Sequence, residues 1–309
     1  MGRYVARRLL QMIPVFLGST FLIFMMMYVL PGDPVRALMG DQAYDPTVVA
    51  NIRHDLGLDR PWWWQYGHYL GGMFQGDFGT EIASKREVAE IIVDAFPVTI
   101  RLTLFAFTFM VVVGISLGVI AGLRPDSVQD RGLLTLTLIL ISMPSFVLGY
   151  LLQYIFAFQL QMITPTVQDS ENFGDLFLPA LVLGSLSLAY VARLTRTSMA
   201  ENLRADYMRT AVAKGLPRRR VVGVHLMRNS LIPVVTFLGT DIGNLMTGAI
   251  VTEGIFNVQG VGNAIYEALT RREGATVVGI ASLIVIVYLL TSLLVDLLYA
   301  VLDPRIRYA

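Results

Sequence analysis

Six long apolar runs divide the chain: Leu9 to Leu30, Val98 to Leu123, Leu133 to Ile163, Leu176 to Met199, Leu231 to Val251 and Val277 to Val301. A helix rises about 1.5 Å per residue and the hydrocarbon core of a bilayer is about 30 Å thick, so about 20 apolar residues make one crossing. Each run meets that length, and the third exceeds it enough to tilt or protrude. The pattern predicts an all-α membrane protein with six transmembrane helices. A secretory signal peptide also opens on basic residues, as here with Arg3, Arg7 and Arg8, but its apolar region is shorter and closes on small residues. The first run closes instead on Pro31-Gly32-Asp33-Pro34 and is expected to stay as a span.

Basic residues near the ends of the spans set the expected orientation. Sixteen of the 24 Lys and Arg fall in the N-terminal tail, the turn with Arg124 and Arg131, the segment Arg193 to Arg228 and the tail with Arg305 and Arg307; nine of these lie between Arg193 and Arg228. Both termini are therefore expected in the cytoplasm. The chain then divides into residues 1–30 (tail and span 1), an external segment 31–97, and 98–309 with spans 2 to 6 and a cytoplasmic loop at about 199–230. In the external segment, Pro46 to Leu56 and Lys85 to Phe96 have helical spacing, and Trp62-Trp63-Trp64 reads as an interfacial belt rather than a stacking platform.

Composition agrees with the pattern and narrows the chemistry. The chain is 55% apolar and 15% charged, against about 25% charge in soluble domains, which excludes an ordinary soluble enzyme. A net charge of +1 gives no global field for nucleic acid. There is no cysteine, hence no disulfide framework and no thiolate metal site. The only lysines, Lys85 and Lys214, close no phosphate-binding loop, so ATP is not hydrolysed here by that route. His54, His68 and His225 lie in separate segments without metalloprotease spacing, and no serine sits in a nucleophile elbow. No catalytic residue, metal site or cofactor of its own is expected.

Inside the spans, Gly114, Gly118 and Gly122 share one helical face, as do Gly239 and Gly243, which lets neighbouring backbones approach closely. Asp241 and Asp296 interrupt apolar runs, where a charged aspartate near the centre costs about 2.5–3.5 kcal/mol on insertion scales. Two readings are open for each: a polar translocation path, with Asn244 one turn after Asp241 on the same face, or a structural hydrogen bond or ion pair.

The cytoplasmic loop is the most informative stretch. Ser198 and Glu201 have capping-box spacing, predicting a helix that starts there and runs until Gly215 and Pro217 stop it. A second short helix is expected from Arg218 to about Asn229. Such a helix–turn–helix reads either as a docking element for another protein or as a solvated positive loop.

The run Asp206-Tyr207-Met208-Arg209-Thr210-Ala211-Val212-Ala213-Lys214-Gly215-Leu216, followed by His225, Arg228-Asn229 and Ile232-Pro233, resembles the "EAA" loop of ABC importer permeases of the dipeptide/oligopeptide (peptide/nickel) family. In that family Thr210, Ala211 and Gly215 would fill the small-residue and glycine positions. Arg7-Arg8-Leu9, Pro31-Gly32-Asp33-Pro34, Leu56-Gly57-Leu58-Asp59-Arg60-Pro61, Gly76-Asp77-Phe78-Gly79, Met143-Pro144-Ser145-Phe146, Gly248-Ala249-Ile250-Val251-Thr252-Glu253 and Val295-Asp296-Leu297-Leu298-Tyr299 to Asp303-Pro304-Arg305 follow in the expected order. Two places depart from the family: Gln259 before Gly260, where a Pro-Gly pair is usual, and Arg271-Arg272-Glu273-Gly274.

The resemblance implies a type I ABC importer permease-like fold in a bacterial or archaeal inner membrane. It also implies a second homologous permease, two ABC ATPases that bind ATP and Mg, and an extracytoplasmic substrate-binding protein. Asp206, Tyr207, Arg209, Thr210, Ala211, Lys214 and Gly215 would couple to an ATPase, with Ala211 and Gly215 letting the docked surfaces approach. Asp241 and Asn244 are the candidates for the path. The implied cargo is a di- or oligopeptide, or within the same family a nickel chelate, glutathione or haem. A stand-alone channel or secondary transporter is the rival from another class and would lean on Asp241.

Overall fold

A computed structural model describes residues 2–29, 59–81, 84–271 and 273–302, with a few isolated positions between 47 and 57. The Pro31–Pro34 turn, most of the Pro46 to Leu56 stretch, Arg272 and the tail with Arg305 and Arg307 lie outside the described residues. The helices are α1 (Gly2–Val29), α2 (Trp62–Phe74), α3 (Val88–Gly122), α4 (Val128–Ser142), α5 (Ser145–Gln153), α6 (Phe177–Leu203), α7 (Asp206–Ala213), α8 (Arg218–Arg220), α9 (Met227–Ser230), α10 (Ile232–Phe256), α11 (Val261–Arg271) and α12 (Gly274–Leu302). Wider π turns extend α5 over Tyr154–Gln159 and join α8 to α9 over Val221–Leu226.

Among the described residues, five helices are long and apolar enough to cross a membrane: Val5–Met26 of α1, then α3, α6, α10, and Gly274–Leu297 of α12. The sixth expected span, Leu133 to Ile163, is not one straight helix. α4 and the α5 segment meet at 105° because Pro144 lacks a backbone N–H and pushes Met143 out of the helical region, to ψ 128°. The helical stretch expected at Lys85 to Phe96 is likewise not separate: it continues through Pro97 as the first turns of α3. The sequence reading missed α2 and α11.

The chain forms two compact units, residues 1–99 with 259–309, and residues 100–258. In the first, α1 packs along α12, where Arg8 Nη2 lies 3.0 Å from Asp296 Oδ1; the half-buried charge in the last span is thus met by an ion pair. The tryptophans open α2, half-exposed, and the helix is held to α1 by Tyr66, whose ring meets Phe21 edge-on at 5.3 Å and whose hydroxyl donates to the Leu17 carbonyl at 2.9 Å. Burial pushes the Tyr69 phenol up to about 12, so it stays protonated and donates to the Val278 carbonyl at 3.2 Å. Arg86, ahead of α3, pairs with Asp94 and with Glu90 (3.4 Å), which together hold its guanidinium above the usual range.

In the second unit, α6 is the central helix, with Ala189, Val191 and Ala192 wholly buried. The glycine row of α3 lies on it. A Cβ built at Gly118 would sit 2.5 Å from the Ala192 carbonyl oxygen and from Thr195 Cβ; at Gly122 it would sit 2.6 Å from Met199 Cβ. These glycines are required by the closeness of two backbones. Gly239 and Gly243 lie in α10, and α10 packs along the other side of α6.

Candidate functional site

The loop at 199–230 is built on the end of α6. Ser198 is not a helix cap: α6 runs on to Leu203, and Ser198 is buried within it. The break comes at Arg204 and Ala205, and Ala205 takes the extended N-cap conformation before α7 (ψ 149°). Without a capping side chain there, the first turn of α7 has Asp206, whose charge favours the positive end of the helix dipole. At the other end Gly215 adopts φ +72°. Its N–H donates to the Val212 carbonyl at 2.9 Å and the Leu216 N–H to the Ala211 carbonyl at 3.4 Å. These two bonds are a Schellman cap, which needs a residue free to enter the left-handed region.

One side of α7 packs down. Met208 and Ala211, each 5% exposed, form a cluster with Met199, Val221 and Leu226, and Val119, Leu123, Leu203 and Leu216 close around it. The loop thus shares the core at the ends of α3 and α6. A line of hydrogen bonds reinforces this seat. The Tyr207 hydroxyl donates to Asn202 Oδ1 at 2.7 Å, Asn202 Nδ2 donates to the Ser198 carbonyl at 2.8 Å, and buried Ser230 Oγ donates to the same carbonyl at 3.4 Å. Helices α7, α6 and α9 are pinned together just before α10 begins.

The other side is open. Asp206, Arg209, Thr210, Val212, Ala213, Lys214 and Gly215 are exposed, as are Arg218, Arg219, Arg220 and Val224. Arg209 and Asp206 face each other at 3.6 Å, a surface pair of little energetic weight. The seven residues expected to couple to an ATPase therefore split. Five lie on the open side, Tyr207 is half-buried, and Ala211 is a correction to the expected role: its small side chain serves contact within the chain, not a docked surface. For Gly215, a Cβ would meet nothing within 4 Å; the cap, not a tight contact in this chain, demands glycine.

An ion pair fixes the helix that carries the loop. Arg196 Nε and Nη2 donate to Asp130 Oδ1 and Oδ2 at 2.7 and 2.6 Å, a bidentate pair between α6 and α4. Asp130 is 1% exposed and accepts also from the Asp126 N–H at 2.9 Å. Arg193, one turn earlier, donates to Thr137 Oγ1 at 3.2 Å. Along the sequence both arginines look like loop charges, and Asp130, three residues after Ser127, which caps α4, is the one local signal of this clamp.

The second pair of candidates lies in α10. Asp241 is 4% exposed; Ser187 of α6 and Asn244 lie alongside its carboxylate, and its Oδ2 has no hydrogen-bond partner. Asn244 is exposed, and with Thr236, Thr240 and Thr247 it forms a polar stripe along one face of an apolar helix. At about 100° per residue, Asp241 stands at the edge of that stripe, where α10 meets α6.

Residues 114–308 match the family model described as binding-protein-dependent transport system inner membrane component, and residues 1–103 match its N-terminal family. The chain belongs to this family. It is the permease component of an ABC importer, works in the inner membrane and is not itself an enzyme; ATPase and substrate-binding subunits are its partners. Three relatives cover it from end to end. The di/tripeptide transport system permease protein DppB of Pseudomonas aeruginosa is 39% identical, over 99% of this permease and 98% of the relative. The dipeptide transport system permease protein DppB of Escherichia coli K12 is also 39% identical, over 100% and 99%. The glutathione transport system permease protein GsiC of Salmonella typhi is 40% identical over the whole of both chains.

Proposed function

We propose that this permease carries di- or oligopeptides into the cytoplasm, paired with a second homologous permease, and that ATPase closure reaches its spans through the 199–230 loop. The observation that carries the coupling half is the seating of α7: capped at Gly215, hydrogen-bonded through Tyr207 and packed through Met208 and Ala211. A rigid segment transmits a displacement that a floppy one would absorb. Asp206, Arg209, Thr210, Lys214 and Gly215 meet the ATPase; Tyr207 and Ala211 hold the helix from behind. ATP and Mg are bound by the ATPases. The peptide half rests on the 39% identity to dipeptide permeases over the full chain.

Two measurements test this reading. Purification in mild detergent should recover one copy of this chain with a second permease and two ATPases, and proteoliposomes of that complex with the loaded binding protein should take up dipeptide only with ATP inside the reach of the ATPases. Glutathione uptake in place of dipeptide uptake would move the cargo to that of the other relative. Gly215→Asp tests the coupling. Aspartate tolerates the left-handed conformation better than most residues, so insertion and fold persist, whereas its charge enters the docked surface. Dipeptide uptake is expected to fall at least about tenfold with ATP hydrolysis retained, and unchanged uptake would sink the docking assignment.

A further inference from the structure

Asp241, in the middle of α10, has no counter-charge among the described residues. Asp241 forms no ion pair, its Oδ2 accepts no hydrogen bond, and only the neutral side chains of Ser187 and Asn244 stand beside it. A carboxylate kept in the middle of a membrane helix is costly and marks a functional position unless it is neutralised. Asp296 shows the contrast, since Arg8 answers it. One turn along α10 from Asp241 is Phe237, and one turn along α6 from Ser187 is Tyr190; their rings pair at 6.1 Å, and Tyr190 is 47% exposed. On the same face of α10 as Phe237, the stripe through Thr240 and Asn244 offers neutral hydrogen-bonding groups.

A buried carboxylate with one oxygen unpaired, an adjacent aromatic pair and an amide beside them together describe a receptor for an organic cation. The aromatic faces favour an ammonium over a hydrated metal ion, while the amide and hydroxyls suit a peptide group. We propose that Asp241 receives the α-ammonium of a peptide in transit, with Tyr190 and Phe237 against its first residue and Asn244 at its first peptide bond. This assignment rests on the peptide reading given above. Asp241 would then be a selectivity residue within the membrane, acting after the binding protein has released its cargo.

The test is an exchange between residue and substrate, in the full complex in proteoliposomes. Uptake of dialanine is compared with uptake of N-propionyl-alanine, which has hydrogen where dialanine has its amine, at equal occupancy of the binding protein. The binding protein's own preference is the same for every permease variant and cancels in the cycle. In Asp241→Asn, dialanine uptake should fall about tenfold, as for a lost hydrogen bond to a charged group, with uptake of the propionyl analogue unchanged. Tyr190→Leu, at an exposed position, should give a loss of about threefold with the same selectivity, and decides the matter should Asp241→Asn not assemble. Equal losses for both substrates, or no loss for either, would overturn the assignment while leaving peptide transport intact. Absence of dialanine uptake by the unsubstituted complex, with glutathione taken up instead, would overturn the peptide reading itself and this assignment with it.

Discussion

Leucine in place of Gly118 will force α3 away from α6, and the complex will unfold several degrees below the unsubstituted one. The added Cβ alone would lie 2.5 Å from a backbone oxygen and 2.5 Å from Thr195 Cβ. Neither is the free end of a flexible side chain, so the helices must separate to admit it. Overpacking of a filled interior costs about 3 kcal/mol at its upper range, and here the contacts of Gly114 and Gly122 along the same row would loosen as well. Gly132→Ala is the control: it lies in α4 with nothing within 4 Å of its added Cβ, so it should stay within about 1 kcal/mol of the parent. Thermal unfolding of the detergent-solubilised complex measures both. Equal melting for Gly118→Leu and Gly132→Ala would mean that the α3–α6 contact is not as close as described.

Removing one partner of the Asp130–Arg196 pair should have a comparable effect. Asp130→Ala leaves a guanidinium facing an emptied site and the Asp126 N–H without its acceptor. Breaking a buried pair by deleting one side costs about 3–5 kcal/mol, whereas replacing both sides by apolar groups of similar size is often neutral. Accordingly Asp130→Ala and Arg196→Ala should each lower the melting temperature, and Asp130→Leu with Arg196→Met should recover most of the loss. The pair lies at the foot of α6, just before Ser198 and the loop. Dipeptide uptake per ATP hydrolysed should therefore drop in the single variants even below the temperature at which they unfold. Additive losses in the double variant would contradict a direct interaction.

Apolar length was enough to mark out five of the six expected spans among the described residues, because the bilayer imposes a run length that composition alone satisfies. Other features depend on what the runs pack against. The bend at Met143 was legible in principle, since a residue before proline avoids the helical region, but the same rule applied to Pro97 would have broken a helix that continues. Ser198 and Glu201 carried the spacing of a cap, yet α6 runs past both of them, with Ser198 buried inside it and Asn202 donating to its carbonyl. Arg196 looked like any arginine of a positive loop. Its partner is 66 residues away, and pairing across that distance leaves no local pattern. The seat of α7 was visible only in part: glycine at its end announced the cap, but which of its residues face inward follows from Met199 and Leu226 on neighbouring helices.

The 35 residues of α3 correspond to about 52 Å at about 1.5 Å each, about 20 Å more than the hydrocarbon core requires. The surplus belongs at the N-terminal end, where Glu90 and Asp94 follow Arg86 at one-turn intervals; from Thr103 to Gly122 the helix has no charged residue. α3 is therefore longer than one crossing needs, and its charged residues gather on the surplus turns. Pro97 falls among the surplus turns. The carbonyl of Val93 is left without its helical donor by the proline four residues later, and Val93 itself is 70% exposed. A missing hydrogen bond that would be costly at the middle of a span thus falls in the part of α3 that a crossing does not need.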